Sequence, residues 1–580
     1  MKHCILFLLL LFALPSFSQT NIQSTNPVAE NIMLGNYNPA VYKPAQSVSK
    51  SQLVQGIWNN LSTDSMLTNL YTLASFNNRN TGSDTVSNTK GIGAARRWVY
   101  RTFQQYAAQN QSRLIPSYLQ FDQTICTMAQ HRNIFAVLPG TDTTDKAIIL
   151  VEAHMDSRCE DVCDTACIAQ GMEDNGSGTV LVLELARVMS QYSYKQSIVF
   201  AITIGEEQGL DGATAFAAYC KSKGIKIEAV INNDVVGGII CGKTASPPGC
   251  PGEDQIDSMS VRLFSAGTNL SAHKSLVRFV KLEYKEEIKP WINTPTIIHI
   301  MNAEDRTGRG GDHIPFRAQG YSSIRLTSTY EDGDANIVAG YTDRQHSSRD
   351  ILGKDVNLDG TIDSFYVDLN YLKRNAMINA NALAMAAIGP QQPGAVQLGN
   401  DGNGLTVIVP PVPGINNYRV GIRSAYNDFD SVYTLTGTNV MKTYNVKKDT
   451  FYYVSAASVD ADGTESIFNI EKLVKAAQQP ATGMAETPSS LKAIELLPAA
   501  PNPFDETTTL SVWVNNRIDY HSATIRVTDI QGRTLRELPI KLEPGINEVL
   551  YEHGFNQKGL FMYSLVIDGK ILQSGKMLFR

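Results

Sequence analysis

The run Ser197-Ile198-Val199-Phe200-Ala201-Ile202-Thr203-Ile204-Gly205-Glu206-Glu207-Gln208-Gly209-Leu210 carries two signals at once. Its first eight residues are almost all apolar and stop at a glycine, which predicts a strand buried on both faces. Two adjacent acids then stand at the end of that strand. They repel one another unless cations neutralise them. Neighbouring side chains point in different directions, so one can hold a metal while the other faces a substrate. Glu207 is assigned to the metal and Glu206 to general-base work, returning the proton to the leaving amine. Peptide hydrolysis at neutral pH needs a strong nucleophile and a Lewis acid. Two zinc ions sharing one carboxylate, with hydroxide between them, supply both.

Outward from this run the pattern alternates. Strand-like runs at Asn133 to Leu138, Ala147 to Glu152, Ala229 to Asn232 and Ser323 to Leu326 are interleaved with helical stretches such as Val180 to Ser190 and Phe365 to Ile388. The last helix stops at Gly389-Pro390. This predicts an α/β domain over residues 51–390, with a mostly parallel sheet flanked by helices. Open sheets of this kind place their sites at the carboxyl ends of strands, and further ligand candidates fall there. His154, in Ala153-His154-Met155-Asp156-Ser157, can bind metal while Asp156 orients it. Asp174, in Gly171-Met172-Glu173-Asp174-Asn175-Gly176, is the natural bridging carboxylate, although taken alone that stretch reads better as a solvated helix cap. Asp234, in Asn232-Asn233-Asp234, suits a terminal ligand. The second histidine is His346 or its competitor His313, and His346 is preferred.

In that order, His154, Asp174, Glu206–Glu207, Asp234 and His346 resemble the di-zinc exopeptidase family of secreted bacterial leucyl aminopeptidases, with aminopeptidase Y, glutamate carboxypeptidase and glutaminyl cyclase as relatives. The resemblance covers residues 60–390. It implies one zinc on His154 and Asp234, another on Glu207 and His346, and Asp174 between them. It also implies peptide substrates, and an Asp312-His313 segment that lines the site without binding metal. Two positions depart from the family pattern. Glu173 stands where Asp is usual, and Gln345 stands where several relatives have the tyrosine that stabilises the oxyanion. That donor is left open between Tyr330 and Tyr341. A glutaminyl-cyclase-like transferase, a carboxypeptidase using Arg309, or an inactive surface-binding protein are the competing readings.

The flanks are different in character. Lys2, the apolar Ile5 to Leu14 and Ser16-Phe17-Ser18 read as a signal peptide over 1–19, implying a secreted or cell-surface protein. The apolar run is too short to span a bilayer. Residues 20–50 read as an irregular lead-in. Short β-runs between turns over 393–475 predict a sandwich, and its ending, Tyr453 to Asp460 with Gly463 and Glu465-Ser466, resembles a fibronectin type III domain. A linker over 476–494 leads to a second all-β segment, 495–580. Its Pro501-Asn502-Pro503-Phe504, Ile525 to Asp529, Gly532, Gly545, Gly559 and Lys576 to Arg580 resemble the sorting domain of type IX secretion cargo. That resemblance implies the secretion machinery as a partner.

Removing Cys4 with the signal leaves seven cysteines, all in the first half. Export favours two or three disulfides with one leftover thiol, Cys241 with Cys250 among them. The alternative for Cys159, Cys163 and Cys167 is a thiolate metal site. Asp355, Asn357, Asp359 and Asp363, with Gly360 at the sixth place, have the oxygen spacing of a calcium loop, but Tyr366 occupies the twelfth. A net charge of −6 without a basic face argues against nucleic acid as a partner.

Overall fold

The computed structural model describes residues 19–42, 48–243, 252–333, 343–400, 404–424, 428–447, 450–476, 493–504, 507–554 and 557–580. The first β-region is a single nine-stranded sheet. Its strands are β1 (Thr20–Ser24), β2 (Ile115–Ile125), β3 (Met128–Leu138), β4 (Ile148–His154), β5 (Ser197–Thr203), β6 (Ile227–Asn233), β7 (Ser260–Ser265), β8 (Ile297–Ile300) and β9 (Ser323–Ser328). They lie in the order β1-β2-β3-β5-β4-β6-β9-β7-β8. The four central strands β5, β4, β6 and β9 run parallel. Every residue of β4 and β5 is buried, which requires cover on both faces.

The edges are antiparallel, so the sheet is mixed. β2 and β3 form a hairpin around Cys126 and Thr127, both at positive φ, and β3 runs antiparallel to β5. The burial of β2 alternates along much of its length, as expected of a strand with one wet face. At the other edge β7 opposes β9. Residues 20–50, expected to be irregular, differ from that expectation. Thr20–Ser24 pairs with β2, and helix α1 (Pro27–Met33) follows, capped by the Asn26 side chain on Val28 N–H. The short polar strand is hard to see by pattern because an edge strand is held by backbone hydrogen bonds rather than by apolar side chains.

The remaining helices are α2 (Lys50–Asn60), α3 (Thr63–Ser75), α4 (Gly91–Gln109), α5 (Ser177–Met189), α6 (Glu206–Gly209), α7 (Asp211–Lys223), α8 (Ala272–Glu283), α9 (His313–Ala318) and α10 (Leu369–Ile388). α5 packs on β4 and β5 and is itself wrapped by α3, α4 and α10, while α7 and α9 pack on each other and on β3, β6 and β9. Only Arg187 of α5 escapes full burial. α10 starts where the Asp368 side chain accepts from Tyr371 N–H, and ends at Gly389 because the residue before Pro390 is driven to extended backbone.

Beyond it, 397–475 forms a three-stranded and a four-stranded antiparallel sheet around Val407, Val420, Ile422 and Val454. Residues 494–579 form a second three-plus-four pair around Leu510, Val512, Ile525 and Leu565. The linker lies mostly outside the described residues, as does the signal segment. No helix among the described residues is long and apolar enough to cross a membrane. Cys126 bonds Cys163, Cys159 bonds Cys167, and Cys220 is a buried free thiol. The cysteine cluster is therefore cross-linked and offers no thiolates to a metal. Cys241 is also disulfide-bonded, and Cys250 lies outside the described residues.

Candidate metal centre

Four of the candidate side chains sit at the carboxyl ends of strands, and Asp174 and His346 come from turns. His154 closes β4, Asp234 follows β6, and Asp174 lies in the irregular turn Met172–Gly176 that enters α5. Glu206 and Glu207 follow Gly205, whose φ of 74° turns the chain off β5. The turn can approach β6 closely because position 178 is glycine. A Cβ there would lie 2.2 Å from the Asn233 carbonyl oxygen. His346 is itself left-handed, at φ 59°.

These residues converge as two groups, His154–Glu206–Asp234 and Asp174–Glu207–His346, each with ligating atoms within 4.8 Å of one another. Asp174 joins the groups. One of its oxygens lies 3.3 Å from His154 Nε2 and the other 3.1 Å from His346 Nε2. His154 Nε2 also faces Asp234 at 3.6 Å, and His346 Nε2 faces Glu207 at 3.2 Å. Asp156 lies beneath, 3.4 Å from His154 Nδ1, and accepts from the backbone N–H groups of Glu206 and Glu207 at 3.4 and 3.3 Å. A carboxylate at Nδ1 favours the tautomer that leaves the Nε2 lone pair to the site.

The charges demand compensation. Burial, reinforced by Asp234, Glu207 and Asp312, pushes the Glu206 carboxyl well above its ordinary range, with His154 opposing. Burial would lower His154, yet Glu206, Asp156, Asp174 and Asp234 hold it well above the usual histidine value. Burial would raise Asp174, but the two histidine rings facing its oxygens at 3.3 and 3.1 Å hold it well below. His154 Nε2 and Glu207 Oε1 are buried without a hydrogen-bond partner. Buried lone pairs facing one another across two small gaps, with nitrogen and oxygen donors, suit divalent zinc.

A cavity of about 360 Å³ opens over these groups, and Arg158, Gln208, Leu210, Arg306, Arg309 and Gln345 are in its wall. His313 is elsewhere. It is buried with Nε2 on the Glu304 carbonyl at 3.1 Å, and burial pushes it down to about 4. Asp312 accepts from the Thr203 hydroxyl at 2.5 Å. Tyr330 is not in the cavity wall, and Tyr341 lies outside the described residues. Residues 355–363 form an exposed loop whose acids accept from its own amides, Asp355 from Gly360 N–H at 2.8 Å and Asp363 from Val356 N–H at 2.7 Å. None of Asp355, Asn357, Asp359 and Asp363 belongs to either ligating group among the described residues.

Three supporting residues went unread in the sequence. Arg158 donates from Nε to Glu207 at 2.8 Å and lies 2.7 Å from His346 Nδ1. Arg325 pairs with Asp234 at 3.0 Å. Asp350 accepts from Glu173 and Asp174 N–H, both at 2.9 Å, which fixes the bridging turn. Arg158 stands one residue past the Ala153–Ser157 motif and Asp350 four residues past His346, and that adjacency was the available signal.

The strand-end site, with paired histidine and carboxylate groups, defines a metal-dependent hydrolase. The family model for peptidase family M28 matches residues 133–361. A probable zinc metalloprotease of Leptosphaeria maculans is 30% identical over 333 residues, covering 55% of this chain and 73% of that protein. Another, from Pyrenophora tritici-repentis, is 30% identical over 354 residues, covering 59% and 77%. Among solved structures, a Legionella pneumophila aminopeptidase aligns with a TM-score of 0.43 at 16% identity, over 60% of this chain and 76% of that one. The chain belongs to peptidase family M28.

Proposed function

We propose that this chain is a di-zinc aminopeptidase that removes N-terminal residues from peptides. The observation that carries the reading is Asp174, whose two oxygens face the Nε2 atoms of His154 and His346 from opposite ends of one carboxylate. His154 and Asp234 would hold one ion, Glu207 and His346 the other, and Asp174 would serve both. Bound zinc supplies a Lewis acid for the scissile carbonyl and lowers the pKa of water to near neutrality.

The chain's own residues do the rest. Asp156 keeps the His154 ring in the right tautomer and fixes the amides of the Glu206–Glu207 turn. Glu206, in the cavity wall, takes the proton of the attacking water and delivers it to the departing amine. The zinc-loaded chain is expected to cleave aminoacyl amides and peptides with free amino termini while sparing N-blocked ones. Glu206→Gln should abolish turnover with metal content unchanged. Absence of cleavage across a broad panel by the zinc-loaded wild type would sink the reading, and one zinc per chain would favour a cyclase-like transferase.

The reading extends to export. A signal over 1–19 and a type IX sorting domain over 495–580 would deliver the enzyme to the cell surface or medium, with a fibronectin-like domain over 393–475 between. Two disulfides inside the peptidase domain accord with an oxidising compartment. A chain ending before residue 495 should stay cell-associated; its appearance in the medium at wild-type levels would remove the sorting assignment.

A further inference from the structure

Hydrolysis moves a pair of electrons onto the carbonyl oxygen, and an enzyme must meet that charge with a donor placed in advance. The tyrosine expected beside the last histidine is absent. The cavity wall holds Gln345 in its place, immediately before His346. Gln345 is 1% exposed, and its amide nitrogen is buried with no hydrogen-bond partner. A buried, unpaired amide N–H₂ costs free energy, and an acceptor arriving in the cavity that Gln345 lines would offset that cost. Three of the other cationic or polar wall side chains are committed, Gln208 by donating to the Val162 carbonyl at 3.0 Å. Arg158 is held against Glu207 and His346, and Arg306 against Asp305 and Glu331. Tyr330 is not in the wall.

We propose that the side-chain amide of Gln345 is the oxyanion donor of this enzyme. The proposal rests on the peptidase reading. Water oxygen bonds to the carbonyl carbon, Glu206 takes the water proton, and the carbonyl π pair moves onto oxygen, where Gln345 N–H donates to it. On collapse that pair re-forms the carbonyl, the carbon–nitrogen bond breaks, and the proton on Glu206 goes to the leaving amine. An amide can present either end by a half-turn about its last bond. The end without an acceptor in the protein is the one that gains from a substrate oxygen.

The test uses the full-length, zinc-loaded chain. Gln345→Met keeps the volume but removes both donors. It is expected to lower kcat by about 10²-fold, the usual cost of one oxyanion donor, with KM changed less than threefold and zinc content unchanged. An aminoalkyl phosphonate, which carries the tetrahedral oxyanion, should bind more weakly by the same factor, while the product amino acid binds as before. Gln345→Glu, nearly identical in shape, places a negative charge against the oxyanion and should be at least as damaging; Gln345→Tyr should recover part of the lost kcat. An unchanged kcat in Gln345→Met overturns the proposal. So does a loss accompanied by zinc release, or by equal weakening of phosphonate and product. If the wild type itself cleaves nothing, the peptidase reading fails first, and the two failures are thereby distinguished.

Discussion

Removing metal from the centre should make Glu206 a liability, and Glu206→Gln should then stabilise the protein. Glu206 and Asp234 place carboxylate oxygens within 4.8 Å of one another. At that separation, with an effective dielectric constant near 20, two unit charges repel by about 3 kcal/mol. Arg158 pairs with Glu207 and Arg325 with Asp234, and two divalent cations would neutralise the charge that remains around Glu206 and Asp174. The pH dependence has a definite sign. The Glu206 carboxyl is raised above its unfolded value by burial and its acidic neighbours, so the native apo state binds a proton that the unfolded chain has lost. Stability from that group is therefore full below the ordinary carboxylate range and is lost as pH rises through the elevated folded value. The assay is calorimetry after exhaustive chelation at pH 5 and pH 8, on wild type and Glu206→Gln. At pH 8 the apo variant should be more stable by up to about 3 kcal/mol, a melting-point rise of several degrees. At pH 5 the difference should shrink towards zero, and with zinc restored it should be small. An apo variant no more stable than apo wild type at pH 8 would refute the claim that the cluster is held together by cations.

Other perturbations separate the supporting residues. Asp156→Ala removes the carboxylate 3.4 Å from His154 Nδ1, leaving that nitrogen only the backbone carbonyl of residue 156 at 3.2 Å, and deprives the Glu206 and Glu207 amides of their acceptor. Zinc affinity should fall about 10- to 100-fold in competition with a chromophoric chelator. His313 is buried and held down to about 4, so the unfolded chain binds a proton that the native state refuses between pH 4 and about 6.5. Stability from this residue is present above that window and drains away as pH falls through it, by about 3 kcal/mol in all. His313→Gln should flatten that part of the acid limb in urea titrations. Replacing Cys159 and Cys167 with serine opens a loop of sequence separation 8, which should cost about 2–3 kcal/mol by denaturant unfolding and loosen the segment that begins at Arg158.

The centre of the fold was legible because its chemistry is local. Runs such as Ser197–Ile204 are apolar without alternation, short, rich in β-branched residues and stopped by glycine, the pattern of a strand with both faces covered. The candidate ligands were legible in part for the same reason, since His154, Glu206, Glu207 and Asp234 stand at or just past such runs, whereas Asp174 and His346 lie in turns far along the chain from a strand end. What escaped depends on tertiary contacts that leave no periodic trace. Thr20–Ser24 joins the sheet through backbone pairing with β2, and β2 with β3 adds antiparallel strands beside the parallel centre. Arg325 looked like an ordinary strand residue until folding brought its guanidinium to Asp234. Gln345 shows the converse limit. In the sequence its position registers only as a missing tyrosine. The positive property, an amide nitrogen closed off from water in the wall of the cavity with nothing to donate to, exists only once the 343–350 segment is folded over the strand ends. Residues that bind metal announce themselves by type and spacing, whereas a residue that meets a transient charge is recognised by what its surroundings leave unsatisfied.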